Sequence, residues 1–233
     1  MSGENIFGKK RCIDIVFCID GTGSMSPCID SVKNNARRFY NDFASAMTDL
    51  GSEVDLMRVK VIVFRDYKSD GQNAMLESPF YELPDDDVEF AKYLEDISAT
   101  GGCNEDANGL EALYFAMKSD FSIGLNDRQV IVLFADTTAI PLGVRSVYSY
   151  YSKEMVDDNG LLETWMCVQG RPTKLRERNK RLVLFAPANT VYADIKRKFN
   201  RSVIEEVEMH KGLDGIAFRD IIKIIAASAS AAT

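Results

Sequence analysis

Histidine is nearly missing: His210 is the only one in 233 residues. A zinc site built on imidazoles, or a Ser-His-Asp hydrolase, would have to rest on that single ring. The hydrolase elbow G-x-S-x-G is missing too. Five cysteines occur (Cys12, Cys18, Cys28, Cys103 and Cys167), none in a C-x-x-C pair. An odd count with no secretory leader fits reduced thiols and a cytoplasmic protein. Cys12 and Cys18 sit in or beside an apolar run and read as small core hydrophobes. No apolar run approaches the length of a membrane span, so a membrane partner is not expected. Basic residues are outnumbered, 28 against 35, for a net charge of −7. Such a surface repels phosphate backbones, and nucleic acid is not expected as a partner. The one basic run, Lys174, Arg176, Arg178, Lys180 and Arg181, carries no interleaved aromatics and reads as a solvated face. No internal repeat or linker divides the chain. It reads as one domain over 1–233, with about 1–10 and 227–233 as flexible ends and a frayed Ala/Ser tail.

What is present is alternation. Cys12 to Ile19 (CIDIVFCI), Met57 to Phe64 (MRVKVIVF), Gln129 to Ala135 (QVIVLFA) and Arg181 to Ala186 (RLVLFA) are apolar, β-branched runs of strand length. Between them lie helical patterns. Ile29, Val32, Ala36, Phe39, Phe43 and Met47 recur at helical spacing after Pro27, and Gly51 stops them. Asp87 to Ile97, a stretch with Leu110, Leu113, Tyr114 and Met117 inward, and Thr190 to Phe199 follow suit. Met75 to Leu83 reads as an edge strand limited by Pro79 and Pro84, and Val203 to Met209 as a last strand. Val144 to Cys167 reads as loosely helical, with Tyr148, Tyr150 and Tyr151 on a half-buried face. Asp214 is placed to cap a closing helix through Ile225. Strands alternating with helices imply an α/β fold: one open, mostly parallel sheet with helices on both faces. In such sheets ligands bind beyond the carboxyl ends of the strands, where Asp20, Arg65, Asp66 and Asp136 all fall.

The stretch Ile15 to Cys28, IVFCIDGTGSMSPC, carries the chemistry. D-G-T matches part of the D-x-D-G-T motif of aspartyl phosphatases, but Cys18 stands where the nucleophilic aspartate belongs. Gly21 and Gly23 are followed by no lysine, as a P-loop requires, and Asp20 would repel a phosphate. A hard divalent cation wants oxygen ligands, and D-x-[ST]-x-S on a strand-to-helix turn can aim the Asp20 carboxylate and the Thr22 and Ser24 hydroxyls at one point. The plain alternative is that these residues cap the following helix. Arg65 and Asp66 could line a binding face or pair with each other.

DIVFCIDGTGSM resembles the opening of a von Willebrand factor A domain, whose D-x-S-x-S signature forms a metal-ion-dependent adhesion site. The resemblance spans essentially the whole chain. It implies a Rossmann-like, doubly wound sheet of about six strands with one short antiparallel edge strand. It further implies Mg²⁺ or Mn²⁺ held by Asp20, Thr22, Ser24, a residue of the loop TGGCNEDANGLEAL and Asp136 in VIVLFADTT. Asn104 stands where that second loop carries a threonine in integrin-like members; Thr100 and Asp106 are the alternatives. Glu105 and Asp106 are also candidates to receive hydrogen bonds from ligand waters. The function implied is a non-enzymatic interaction module that docks an Asp or Glu of a partner protein on the metal, within assemblies that include ATPases, kinases or phosphatases. Two other readings stay open: a metal-dependent phosphohydrolase, and a scaffold that has lost its metal.

Overall fold

The computed structural model describes residues 11–100, 106–213 and 215–231. Seven strands form one sheet in the order β3-β2-β1-β5-β6-β7, with β4 also paired to β2. The strands are β1 (Cys12–Asp20), β2 (Leu56–Phe64), β3 (Met75–Glu77), β4 (Tyr81–Leu83), β5 (Arg128–Phe134), β6 (Lys180–Pro187) and β7 (Ser202–Val207). The run β2-β1-β5-β6-β7 is parallel, while β3 and β4 are antiparallel to β2. The expected single edge strand over 75–83 is thus two short strands. Pro79, which has no N–H for a ladder, lies in the break, and Ser78 bridges it by exchanging bonds with Val61.

Every residue of β1 is buried, so its two faces need two cores. Ile13, Ile15, Phe17 and Ile19 face one side, against α1 (Ser26–Asp49), α3 (Asp87–Asp96) and α7 (Phe218–Ser230). Val16 and Cys18 face the other, against α4 (Gly109–Met117), α5 (Asp158–Trp165) and α6 (Val191–Lys198). This period-two split is what a strand covered on both faces must show. A short α2 (Tyr67–Asp70) follows β2. The order puts β1 and β5 side by side at the centre. The chain winds from β1 to β2 in one direction and from β5 through β7 in the other, so the topological switch point lies between them. Among the described residues no helix is long and apolar enough to cross a membrane.

Four expectations need correction. Within 144–167 only Asp158–Trp165 is helical. From Pro141 to Tyr151 the chain makes successive turns in which an N–H bonds the carbonyl three residues back (144 to 141, 146 to 143, 148 to 145, 151 to 148). Three residues per turn eclipse every third side chain. Leu142, Arg145, Tyr148 and Tyr151 accordingly point inward to varying depth, while Val144, Val147 and Tyr150 are exposed. The basic run is not wholly solvated: Lys180 and Arg181 are buried in β6. Lys180 donates to the Trp165 carbonyl and to Glu177, and lies over the Trp165 ring. The closing helix starts at Phe218, and Asp214 lies outside the described residues. The Ala/Ser tail stays helical to Ser230 because arginines bind its last carbonyls. Arg11 and Arg128 donate to Ala229 O, and Arg181 to Ser228 O and Ala231 O. Cations at a helix C-terminus satisfy orphan acceptors and favour the dipole.

Candidate functional site

Asp20 ends β1, is fully buried and pairs with Phe64 at the end of β2. Its Oδ1 accepts from the Thr22 amide at 2.9 Å, a tight turn of the kind Asp favours. The chain then enters a 3-10 turn over Gly23–Met25, and α1 starts with Pro27 in its first turn. The residues at the two helix starts, Thr22 and Met25, make no side-chain capping bond. The hydroxyls of the motif are therefore not spent on capping. Ser24 Oγ instead donates across the switch point to Asp136 Oδ1 at 3.1 Å.

Asp136, two residues beyond β5, is fully buried. Its Oδ2 accepts from the Gly212 amide at 2.9 Å and its carbonyl from the His210 amide at 2.8 Å. The turn after β7 thus closes over the second carboxylate. Gly212 takes φ +59 there, and a Cβ would come within 3.2 Å of the Ser24 carbonyl. The lone histidine serves through its backbone, and its side chain is exposed.

Two buried oxygens are left over: Asp20 Oδ2 and Thr22 Oγ1 have no hydrogen-bond partner among the described residues. The Thr22 hydroxyl is near enough to ease the charge on Asp20. Burial pushes the Asp20 carboxyl up to about 7; the Thr22 amide and hydroxyl work against this, the Asp136 charge adds to it, and Arg65 opposes it. A buried carboxylate oxygen and a hydroxyl left unmatched cost several kcal/mol unless a proton or cation takes them up. This donor set, acceptor oxygens from a carboxylate and two hydroxyls with a second carboxylate behind, suits a hard divalent ion. Among the described residues no three His, Cys, Asp or Glu side chains gather as a metal site, so such an ion would depend on hydroxyl ligands.

Asp20, Thr22, Ser24 and Asp136 therefore come together. Asn104, with Glu105, lies outside the described residues. Thr100 is exposed, its hydroxyl 3.4 Å from that of Ser98. Asp106 is half-buried, and its charge is felt by Arg145 and Tyr192. Cys18 is fully buried beneath α4, its thiol donating to Ala112 O and its pKa pushed far up by burial, so it is not poised as a nucleophile.

Arg65 and Asp66 neither pair with each other nor share a role. Asp66 caps α2, accepting from the Lys68 amide at 3.0 Å, and receives Arg145 in a two-pronged ion pair at 2.6 and 3.0 Å. Arg65 turns into the protein towards backbone carbonyls. Neither Arg145 nor the Gly212 turn is signalled locally in the sequence. Beside them, Tyr151 donates to the buried Glu111 at 3.0 Å, and the Asn108 carbonyl oxygen accepts from the Tyr67 amide at 3.1 Å.

The fold and site define an open, mostly parallel α/β protein with a cluster of buried side-chain oxygens at its switch point. No family model matches the chain, and no curated protein matches it. Among solved structures it is similar to the pilus adhesin SpaC of Lactobacillus rhamnosus GG, at 10% identity and a TM-score of 0.53, over 95% of this chain and 31% of the adhesin. An open conformation of the same adhesin gives 11% identity and a TM-score of 0.51, over 95% and 30%. The chain spans about a third of the adhesin's length. At this identity the likeness shows the fold alone.

Proposed function

We propose that the chain is an interaction module of the von Willebrand factor A type. It holds Mg²⁺ or Mn²⁺ through Asp20, Thr22 and Ser24, with Asp136 behind Ser24 and Asn104 from the second loop, and it docks an Asp or Glu of a partner protein. The observation that carries the reading is the pair of buried, unmatched oxygens, Asp20 Oδ2 and Thr22 Oγ1. The metal, when bound, supplies a positive centre with an open position for an anionic oxygen. The residues of the chain do the rest. Asp20 supplies charge, Thr22 and Ser24 supply neutral oxygens, and the Gly212 amide and Ser24 hold the Asp136 carboxylate in place. Two carboxylates do not fill the coordination of a hard ion, which favours an acidic partner.

Titration calorimetry with Mn²⁺ and Mg²⁺, beside thermal unfolding in EDTA, tests this. Metal at tenfold its dissociation constant adds about 1.4 kcal/mol, a rise of about 2–4 °C per kcal/mol for a chain of this size. Wild type is expected to bind and to rise, and D20A to do neither. A cooperative wild-type transition that millimolar Mn²⁺ leaves unmoved, with no heat of binding, would sink the reading.

A further inference from the structure

Arg65 directly follows β2 and is 4% exposed. Its Nε donates to Gly21 O at 3.2 Å and Thr100 O at 3.0 Å, its Nη1 to Asn73 O at 2.9 Å and its Nη2 to Ser98 O at 2.7 Å. Its backbone is engaged as well: the amide donates to Ala74 O at 2.8 Å, and the carbonyl accepts from Asn108 N at 3.0 Å. Gly21 is the residue between Asp20 and Thr22. Ser98 and Thr100 open the second loop, and Asn108 precedes α4, which that loop leads into. One side chain therefore joins the first loop to the start of the second, and the backbone beside it fixes the far end.

A buried cation is normally met by a carboxylate, because desolvation is costly. Here the four hydrogen-bond acceptors are neutral carbonyls, while the charges of Asp70 and Asp20 favour the cation. A guanidinium suits this task because its planar fork carries five N–H donors; an ammonium offers three from one point. The fit is close. A Cβ on Gly21 would come within 2.8 Å of Arg65 Nε and 2.8 Å of Val63 Cγ1. The loops also touch directly, Thr100 N donating to Gly21 O at 3.1 Å.

We propose that Arg65 is a positioning residue, a clamp that ties the Asp20–Ser24 loop to Ser98 and Thr100 so that the ligands of the first loop are held in place. The clause about ligands rests on the metal reading above; the clamp itself does not. The test compares wild type with R65K by residue-level amide hydrogen exchange and by Mn²⁺ titration. R65K is expected to fold, with the Ile131 and Val132 amides of β5 protected as in wild type. Its Thr100 amide should exchange at least tenfold faster and its Mn²⁺ affinity fall at least tenfold. Should R65K not fold, G21A replaces it: that variant keeps the arginine but displaces it, and the same two changes are expected.

Wild-type protection at Thr100 in the variant overturns the clamp. So does a rise by one common factor at every amide, which is what mere loss of stability would give. Released Thr100 with unchanged Mn²⁺ affinity overturns the link to the site. If wild type itself binds no Mn²⁺, the metal reading falls, and Thr100 protection alone judges the clamp.

Discussion

Asp20 and Glu111 are acids held where water cannot solvate their charge. Burial pushes Glu111 up to about 6, against the pull of Asn108, Tyr151 and Arg145. A folded-state pKa above the unfolded one means that the folded protein binds the proton more tightly. That contribution to stability is complete below about 4.5 and is lost as pH rises through about 6, and it is worth about 2 kcal/mol. E111Q keeps an acceptor for Tyr151 and has nothing to titrate. In EDTA, its melting temperature relative to wild type is therefore expected to climb between pH 5 and pH 8; a constant offset would contradict the assignment. Asp20 is raised in the same sense and cancels in that comparison. In metal-free protein, D20N should be as stable as wild type or more so at pH 8, while losing any response to Mn²⁺. Melting curves with and without metal separate the two effects. At this scale much of the candidate site could be read from sequence: Asp20 and Asp136 follow buried strands, and Gly21 and Gly23 flank Thr22. Arg65 could not be read, because its acceptors are carbonyls, and a carbonyl has no residue type.

Elements with a strong period were legible. α1 buries Ile29, Ala36, Phe39, Phe43 and Met47 as its spacing foretold, and the buried strands needed only their β-branched runs. The stretch 144–167 was misread as helical because its first part, to Tyr151, buries every third residue. Its attachment also depends on a distant partner, the Arg145–Asp66 pair, with side chains 18% and 1% exposed. D66N retains a residue that caps α2 well and removes the charge. Allowing for the partial exposure of Arg145, the cost is expected to be about 1–3 kcal/mol. Trypsin is expected to cut D66N after Arg145 and spare wild type under the same conditions; equal resistance would show that the segment is held by its tyrosines alone. A period of three also makes the length of this segment stepwise. Three added residues would keep Arg145, Tyr148 and Tyr151 in one row, whereas one or two would turn that row outward.

For the whole molecule, alternating strands and helices foretold the parallel sheet, its two covered faces and the edge at which the site sits. The strand order did not follow from pattern, since pairing between distant strands is set by packing. The arginines that bind the end of α7 were equally hidden, and they integrate the fold. Arg11, Arg128 and Arg181 reach it from the starts of β1, β5 and β6. Burial and mutual repulsion lower the pKa of Arg128 and hold that of Arg181 to about 10, so these cations are kept for their donors. R128M is expected to destabilise by about 1–2 kcal/mol through the lost carbonyl bond, a fall of about 2–8 °C; an unchanged melting temperature would refute the role. The same contacts fix a geometry. Arg11 and Ala229 are joined at 3.2 Å at the amino edge of the sheet, while Asp20 lies at the far end of the nine-residue β1, about 25–30 Å away. Both described ends of the chain therefore leave from one pole, and Asp20 lies at the other. A tether placed on either described end would therefore pull from the pole opposite Asp20.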